Sequence, residues 1–205
     1  MLIFGVALLA LMAGALFFRA GVHAPAPPAA APASVPSVAP AASPQVLEVV
    51  SHPEFSLPDL DGTDRAFSEW QGRNRLINFW ATWCAPCRRE IPMLKDFQEQ
   101  QARNGFQVIG IAVDFPEEVA AYAEKAEFNY PVLIGQQEAM AVAESSGIEF
   151  IGMPFTMFVA SDGEYVGAYI GELHQEHLDS LVDIMTRLDR SEISKDEARA
   201  ELELL

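Results

Sequence analysis

An apolar run, Leu76-Ile-Asn-Phe-Trp-Ala81, ends two residues short of a Cys84-Ala-Pro-Cys87 segment, and helix-forming residues follow at once. Six such residues read as a buried strand, so the chain must deliver a pair of cysteines to the point where a strand gives way to a helix. That position has chemical consequences. The first turn of a helix carries unsatisfied N–H groups and the positive end of the dipole, and both favour a thiolate over a thiol. Cys84 is therefore the candidate attacking sulfur. Cys87, one turn on, faces inward and is close enough to close a disulfide with it. The cycle this predicts is nucleophilic attack, a mixed disulfide, and resolution by the second thiol.

These are the only cysteines in 205 residues, so they are not a scaffold of structural cross-links. Zinc binding needs a second ligand pair. His174-Gln-Glu-His177 lies far beyond zinc-finger spacing and suits the surface of a helix start. Haem attachment needs histidine where Arg88 stands. A peroxidatic cysteine needs Thr or Ser three residues before it, where this chain has Ala81. Redox exchange between thiols and disulfides is the reading that survives, with no metal and no cofactor.

The chain divides by composition. Residues 1–19 hold an apolar run from Leu2 to Phe18, at the lower edge of what spans a bilayer and longer than an ordinary signal core. A membrane anchor is favoured over a cleaved signal, since the best small-residue cleavage site is followed by Pro25. No cysteine near the N-terminus is present to carry a lipid. Residues 20–45 are almost wholly Ala, Pro, Ser and Val; the part from Pro25 to Pro44 has no charged residue. Such a stretch forms neither helix nor sheet interior and acts as an extended spacer of about 60 Å. Residues 46–190 form the folded domain, and 191–205 an acidic tail helix opened by the capping box Ser194-Lys-Asp-Glu197. The formal net charge of −16 has no basic run to offset it, which excludes a nucleic-acid partner.

Within the domain, Phe55 to Phe67 predicts a small hairpin turned at Asp61-Gly62. A helix is expected from Arg88 to Asn104, stopped by Gly105. Strands are expected at Phe106–Val113 and Pro131–Ile134. Helices should open at Asp114, running to about Phe128, and span about Gln137 to Ser145. Phe155–Val159 and Tyr165–Ile170 form a second hairpin, and a helix occupies His174 to about Arg190. Strands alternating with helices and closed by a hairpin give an α/β fold with a mixed central sheet flanked by helices.

The segment Asn78-Phe-Trp-Ala-Thr-Trp-Cys-Ala-Pro-Cys-Arg-Arg-Glu-Ile-Pro92 resembles the active-site segment of the membrane-anchored, extracytoplasmic thioredoxin-like proteins of the TlpA/ResA group, which includes reductases of bacterial cytochrome c maturation. The likeness covers about Pro53 to Leu188. It implies a thioredoxin-like fold with an N-terminal hairpin and a central α-β insertion. Pro154 then falls where the family places a cis-proline facing the disulfide, with Met153 offering its backbone to an extended substrate and Trp83 shaping the docking surface. Phe155 stands where the family often has Thr. Glu90, three residues after Cys87, matches a glutamate that accepts the proton of the buried thiol. Asn78 replaces the buried Asp of cytosolic thioredoxins, so Glu90 inherits proton handling. Trp80 is expected in the core, and Arg88 and Arg89 on the surface.

The likeness also implies the setting: a bacterial inner membrane protein with its catalytic domain in the periplasm. Its partners would be disulfide-bearing client proteins and a transmembrane electron donor, with the membrane engaged through the N-terminal segment. Reduction is the favoured direction, with thiol oxidation during protein folding as the alternative. A copper-handling module for oxidase assembly is a second alternative, disfavoured because such proteins usually space their cysteines one residue further apart.

Overall fold

The computed structural model describes residues 54–145, 147 and 150–205. The anchor and spacer assigned to residues 1–45 lie outside the described residues. Seven strands appear in chain order: β1 (Ser56–Pro58), β2 (Asp64–Ala66), β3 (Asn74–Trp80), β4 (Phe106–Val113), β5 (Val132–Gly135), β6 (Phe155–Val159) and β7 (Tyr165–Ile170). Five α-helices interleave with them: α1 (Ala85–Gln101), α2 (Pro116–Ala126), α3 (Gln137–Ser145), α4 (Gln175–Asp189) and α5 (Lys195–Leu202).

The main sheet runs β5-β4-β3-β6-β7, with β3, β4 and β5 parallel and β6 and β7 antiparallel. β3 lies at its centre and is buried along its whole length, which is why it reads as a continuous apolar run rather than an alternating one. The alternation is nevertheless present in three dimensions. Leu76 and Trp80 join the core beneath α1, α2, α4 and α5, while Ile77 and Phe79 face the opposite core, closed by the β1–β2 hairpin and α3. The fold is the expected thioredoxin-like arrangement, a mixed sheet with helices on both faces.

Both hairpins fall where the turn residues place them, and Gly62 takes the left-handed conformation the first turn requires. The helix after the cysteines differs from expectation. It begins at Ala85 rather than Arg88, because Cys84 itself is the N-cap and Pro86 sits in the first turn, where a missing N–H costs nothing. It ends at Gln101 in a 3₁₀ turn over Ala102–Asn104, stopped at Gly105 (φ 86°). α2 is shorter than expected at both ends. Its cap is Phe115, with no side-chain cap, because Asp114 is engaged elsewhere.

The acidic tail has a structural role that the sequence did not show. Leu202 is buried against β7, where an added Cβ on Gly167 would stand 3.2 Å from the Leu202 Cβ. A side chain on Gly167 would force Leu202 to give way by a few tenths of an ångström. Arg187 pairs with Glu201, and Lys195 and Arg199 both pair with Glu164 at the start of the strand. The capping box is formed as expected, Ser194 and Glu197 each satisfying the other's backbone N–H.

Candidate active site

Cys84 and Cys87 are joined in a disulfide, with Cα atoms 5.3 Å apart. Cys84 occupies the N-cap of α1, and its Sγ accepts the Cys87 N–H at 3.3 Å. A thiolate released there would find the free donors of the first turn already aimed at it. Cys87 is fully buried and Cys84 nearly so, whereas the neighbouring Trp83 is 69% exposed. The pair thus has one sulfur at the rim and one beneath it.

Glu90 is 1% exposed. A solvated helix carboxylate, the bland reading of an Arg-Arg-Glu run, is ruled out. Glu90 Oε1 accepts from Asn78 Nδ2 at 2.7 Å, and Oε2 accepts from the Leu173 N–H at 2.7 Å. Burial pushes its carboxyl up to about 7, the repulsion of Glu172 adds to this, and the two donors hold it from rising further. The sequence pairing of Asn78 with Glu90 is therefore a physical contact. Asn78 Nδ2 also donates to Thr156 Oγ1 at 3.0 Å, tying β3 to β6.

Met153–Pro154 is a cis peptide. Met153 packs against the core cluster that contains both cysteines. Pro154 C=O accepts the Gly171 N–H at 2.9 Å, which binds this loop to the one carrying Glu172 and Leu173. Arg89 pairs with Glu172 across the same loop, while Arg88 is exposed. Phe155, the departure from the family pattern, turns away from the disulfide into the opposite core, where it packs against Phe79 and Phe150. Trp80 lies in the core as expected. His177 Nδ1 accepts the His174 N–H at the start of α4, the surface role read from the sequence. Among the described residues, no three His, Cys, Asp or Glu side chains gather to hold a metal ion.

Two features near the cysteines escaped the sequence reading. Asp114, taken as a helix opener, instead reaches across to the loop before Cys84. Its Oδ2 accepts from the Thr82 N–H at 2.9 Å and the Thr82 hydroxyl at 2.6 Å, and Oδ1 accepts from the Phe115 N–H. Its place at the carboxyl end of a strand parallel to β3 was the available signal, since functional loops gather at that edge. Removing the two oxygens that accept these three hydrogen bonds, by Asp114→Ala, should lower the stability of the oxidised protein by about 1–3 kcal/mol. Urea unfolding at constant pH measures this, and an unchanged midpoint would show that Asp114 does not secure the loop. The second feature is apolar. Of the six exposed large hydrophobics among the described residues, Trp83 adjoins Cys84, Phe115 follows Asp114, Ile151 stands two residues before the cis peptide, and Ile170 pairs with Phe155.

Known proteins resemble this chain in sequence and in fold. The profile of the AhpC/TSA family matches residues 50–167, more than half of the chain. The thiol-disulfide oxidoreductase ResA of Geobacillus kaustophilus is 29% identical over 134 residues, 63% of this chain and 75% of the relative. Thioredoxin-like protein YneN of Bacillus subtilis is 27% identical over 138 residues, 64% of this chain and 76% of its own. In three dimensions, a thiol:disulfide interchange protein of the thioredoxin family from Chlorobium tepidum superposes with a TM-score of 0.60 at 29% identity. That match covers 66% of this chain and 94% of the other. The chain belongs to the AhpC/TSA family, and within it to the thioredoxin-like thiol–disulfide oxidoreductases.

Proposed function

We propose that this oxidoreductase reduces disulfides in client proteins outside the cytoplasm, in cytochrome c maturation or a related assembly process. The observation that carries the reading is a rim thiol at a helix N-cap with a buried carboxyl on the helix face behind it. In the reduced protein, the Cys84 thiolate attacks a client disulfide and expels one client sulfur as a thiolate. Glu90, as carboxylate, takes the proton of Cys87. The Cys87 sulfur then attacks Cys84 Sγ, expels the second client sulfur, and leaves the Cys84–Cys87 disulfide. Two electrons pass to the client. Glu90 lies one helical turn after Cys87 on the same face, which is the placement this transfer needs.

The direction rests on electrostatics. A strongly oxidising dithiol is one whose reduced form is stabilised, usually by positive charge at the exposed sulfur. Here the hydrogen bond to Cys84 Sγ comes from the neutral Cys87 N–H, and Arg89 is already occupied by Glu172. A buried carboxyl behind Cys87 disfavours thiolate further. These features favour a reducing potential. Trp83, with the backbone of Met153 and Pro154, would form the docking ledge, and the exposed Phe115, Ile151 and Ile170 suit an extended apolar client segment. The apolar Leu2–Phe18 run and the spacer support a tethered domain in the periplasm that recovers electrons from a transmembrane donor.

Thiol trapping of the full-length chain in redox buffers tests the direction. A potential near about −270 mV supports reduction, whereas one near about −120 mV would make the protein an oxidant.

A further inference from the structure

Of the five buried polar side-chain atoms without a hydrogen-bond partner among the described residues, three belong to Asn78 (Oδ1), Trp80 (Nε1) and Tyr130 (the hydroxyl). Trp80 is fully buried and Tyr130 is 6% exposed. Orphans of this kind are rare, and each is costly if left unsatisfied. They are not scattered. Asn78 lies directly opposite Gly110 in the β3–β4 register, so both present their side-chain positions to the same face of the sheet. A Cβ built on Gly110 would stand 3.2 Å from Trp80 Nε1 and 3.2 Å from the Tyr130 ring at Cε2. A side chain at Gly110 would crowd both groups.

The amide of Asn78 is oriented with respect to that spot. Its Nδ2 is committed to Thr156 on β6, one flank of β3, and to Glu90 above the sheet. The other branch of the planar amide, Oδ1, has no partner, and the neighbour of β3 on the side away from β6 is β4, which carries Gly110. The three atoms offer one fixed donor, one acceptor and one hydroxyl that serves as either. That is the set of two to four partners a buried water needs.

We propose that Asn78 Oδ1, Trp80 Nε1 and the Tyr130 hydroxyl hold a buried water over Gly110, and that Tyr130 thereby acts as a positioning residue, locking the Asn78 amide in the orientation that donates to Glu90. The water accepts from Trp80, donates to Asn78, and exchanges its remaining bond with Tyr130. Electrostatics agree with the proximity: burial and then the charge of Glu90 both push the Tyr130 hydroxyl well above its ordinary value. The other groups facing Glu90 are Thr156 through Asn78, the Leu173 N–H and the Glu172 carboxylate from the loop before α4, and Cys87 on its own helix. Tyr122 of α2 lies behind Tyr130.

This inference deepens the assignment of Glu90 as the base, and its test is independent of activity. Full-length oxidised protein in detergent is labelled with carboxyl-¹³C glutamate, and the Glu90 signal is identified by its loss in Glu90→Gln. In Tyr130→Phe, which keeps the ring and removes only the hydroxyl, the Asn78 amide loses its lock and donates less well. The Glu90 titration midpoint should then rise by about half a pH unit or more. Gly110→Ala, which fills the spot, should move it the same way and decides the matter if the first variant does not fold. A midpoint that stays in place or falls overturns the proposal. If the midpoint rises while the pH profile of client reduction does not follow, the positioning role stands and Glu90 is not the base.

Discussion

Replacing Cys87 with Ser should turn the protein into a covalent trap, while replacing Cys84 with Ser should abolish exchange and trap nothing. The two sulfurs differ in position rather than in kind. Cys84 caps the helix beside the exposed Trp83, and Cys87 is sealed beneath it. A client disulfide can reach only the first. With Cys87 present, the mixed disulfide is resolved from within; with serine there, no sulfur is left to attack Cys84, and the adduct persists until a reductant is added. Incubating each reduced variant with disulfide-bonded insulin, quenching by alkylation, and comparing reducing with non-reducing gels reads the result directly. A Cys84→Ser variant that accumulated the adduct would reverse the order of the thiols. Loss of the adduct in the double variant is the control for adventitious linkage.

The strand-to-helix position of the dithiol was legible because few residues determine it. Leu76 to Trp80 form a buried strand whatever the context, and Pro86 and Cys84 suit the first turn of a helix and little else. The register Asn78↔Gly110 is not local, and nothing in either segment announces it. For the same reason Asp114 was read as a helix opener. An Asp before Phe-Pro-Glu-Glu is a good cap by local chemistry, yet the tertiary contact with Thr82 outcompetes that role. The tail helix was recognised from its capping box, but its destination was not, because the cue was a glycine 35 residues earlier in a different strand. Local preference predicts elements. What they touch is decided by packing between segments distant in sequence, and that is where Tyr130 and Leu173 were missed.

Glu90→Gln should make the stability of the oxidised protein less sensitive to pH, by about 3 kcal/mol between pH 4.5 and pH 8. Burial raises the Glu90 carboxyl from its ordinary 4.5 to about 7. Below pH 4.5 the group is protonated in both folded and unfolded chains and costs nothing. As pH rises, the unfolded chain releases its proton first while the folded chain retains it. Stability therefore falls through this window, and the loss is complete once pH passes the folded value near 7. Two and a half units at about 1.36 kcal/mol each give the magnitude. Glutamine does not ionise, so the variant escapes the loss. The substitution is sterically mild, and the glutamine oxygen can still accept from either Asn78 Nδ2 or the Leu173 N–H. Urea melts of both proteins at the two pH values, with the disulfide intact, give the difference of differences and cancel any constant packing cost. Equal differences at the two values would mean that Glu90 ionises as an ordinary carboxylate. The same titration should govern function: client reduction by the parent should show an inflection near pH 7 that the variant lacks, because the buried thiol of Cys87 has then lost its base.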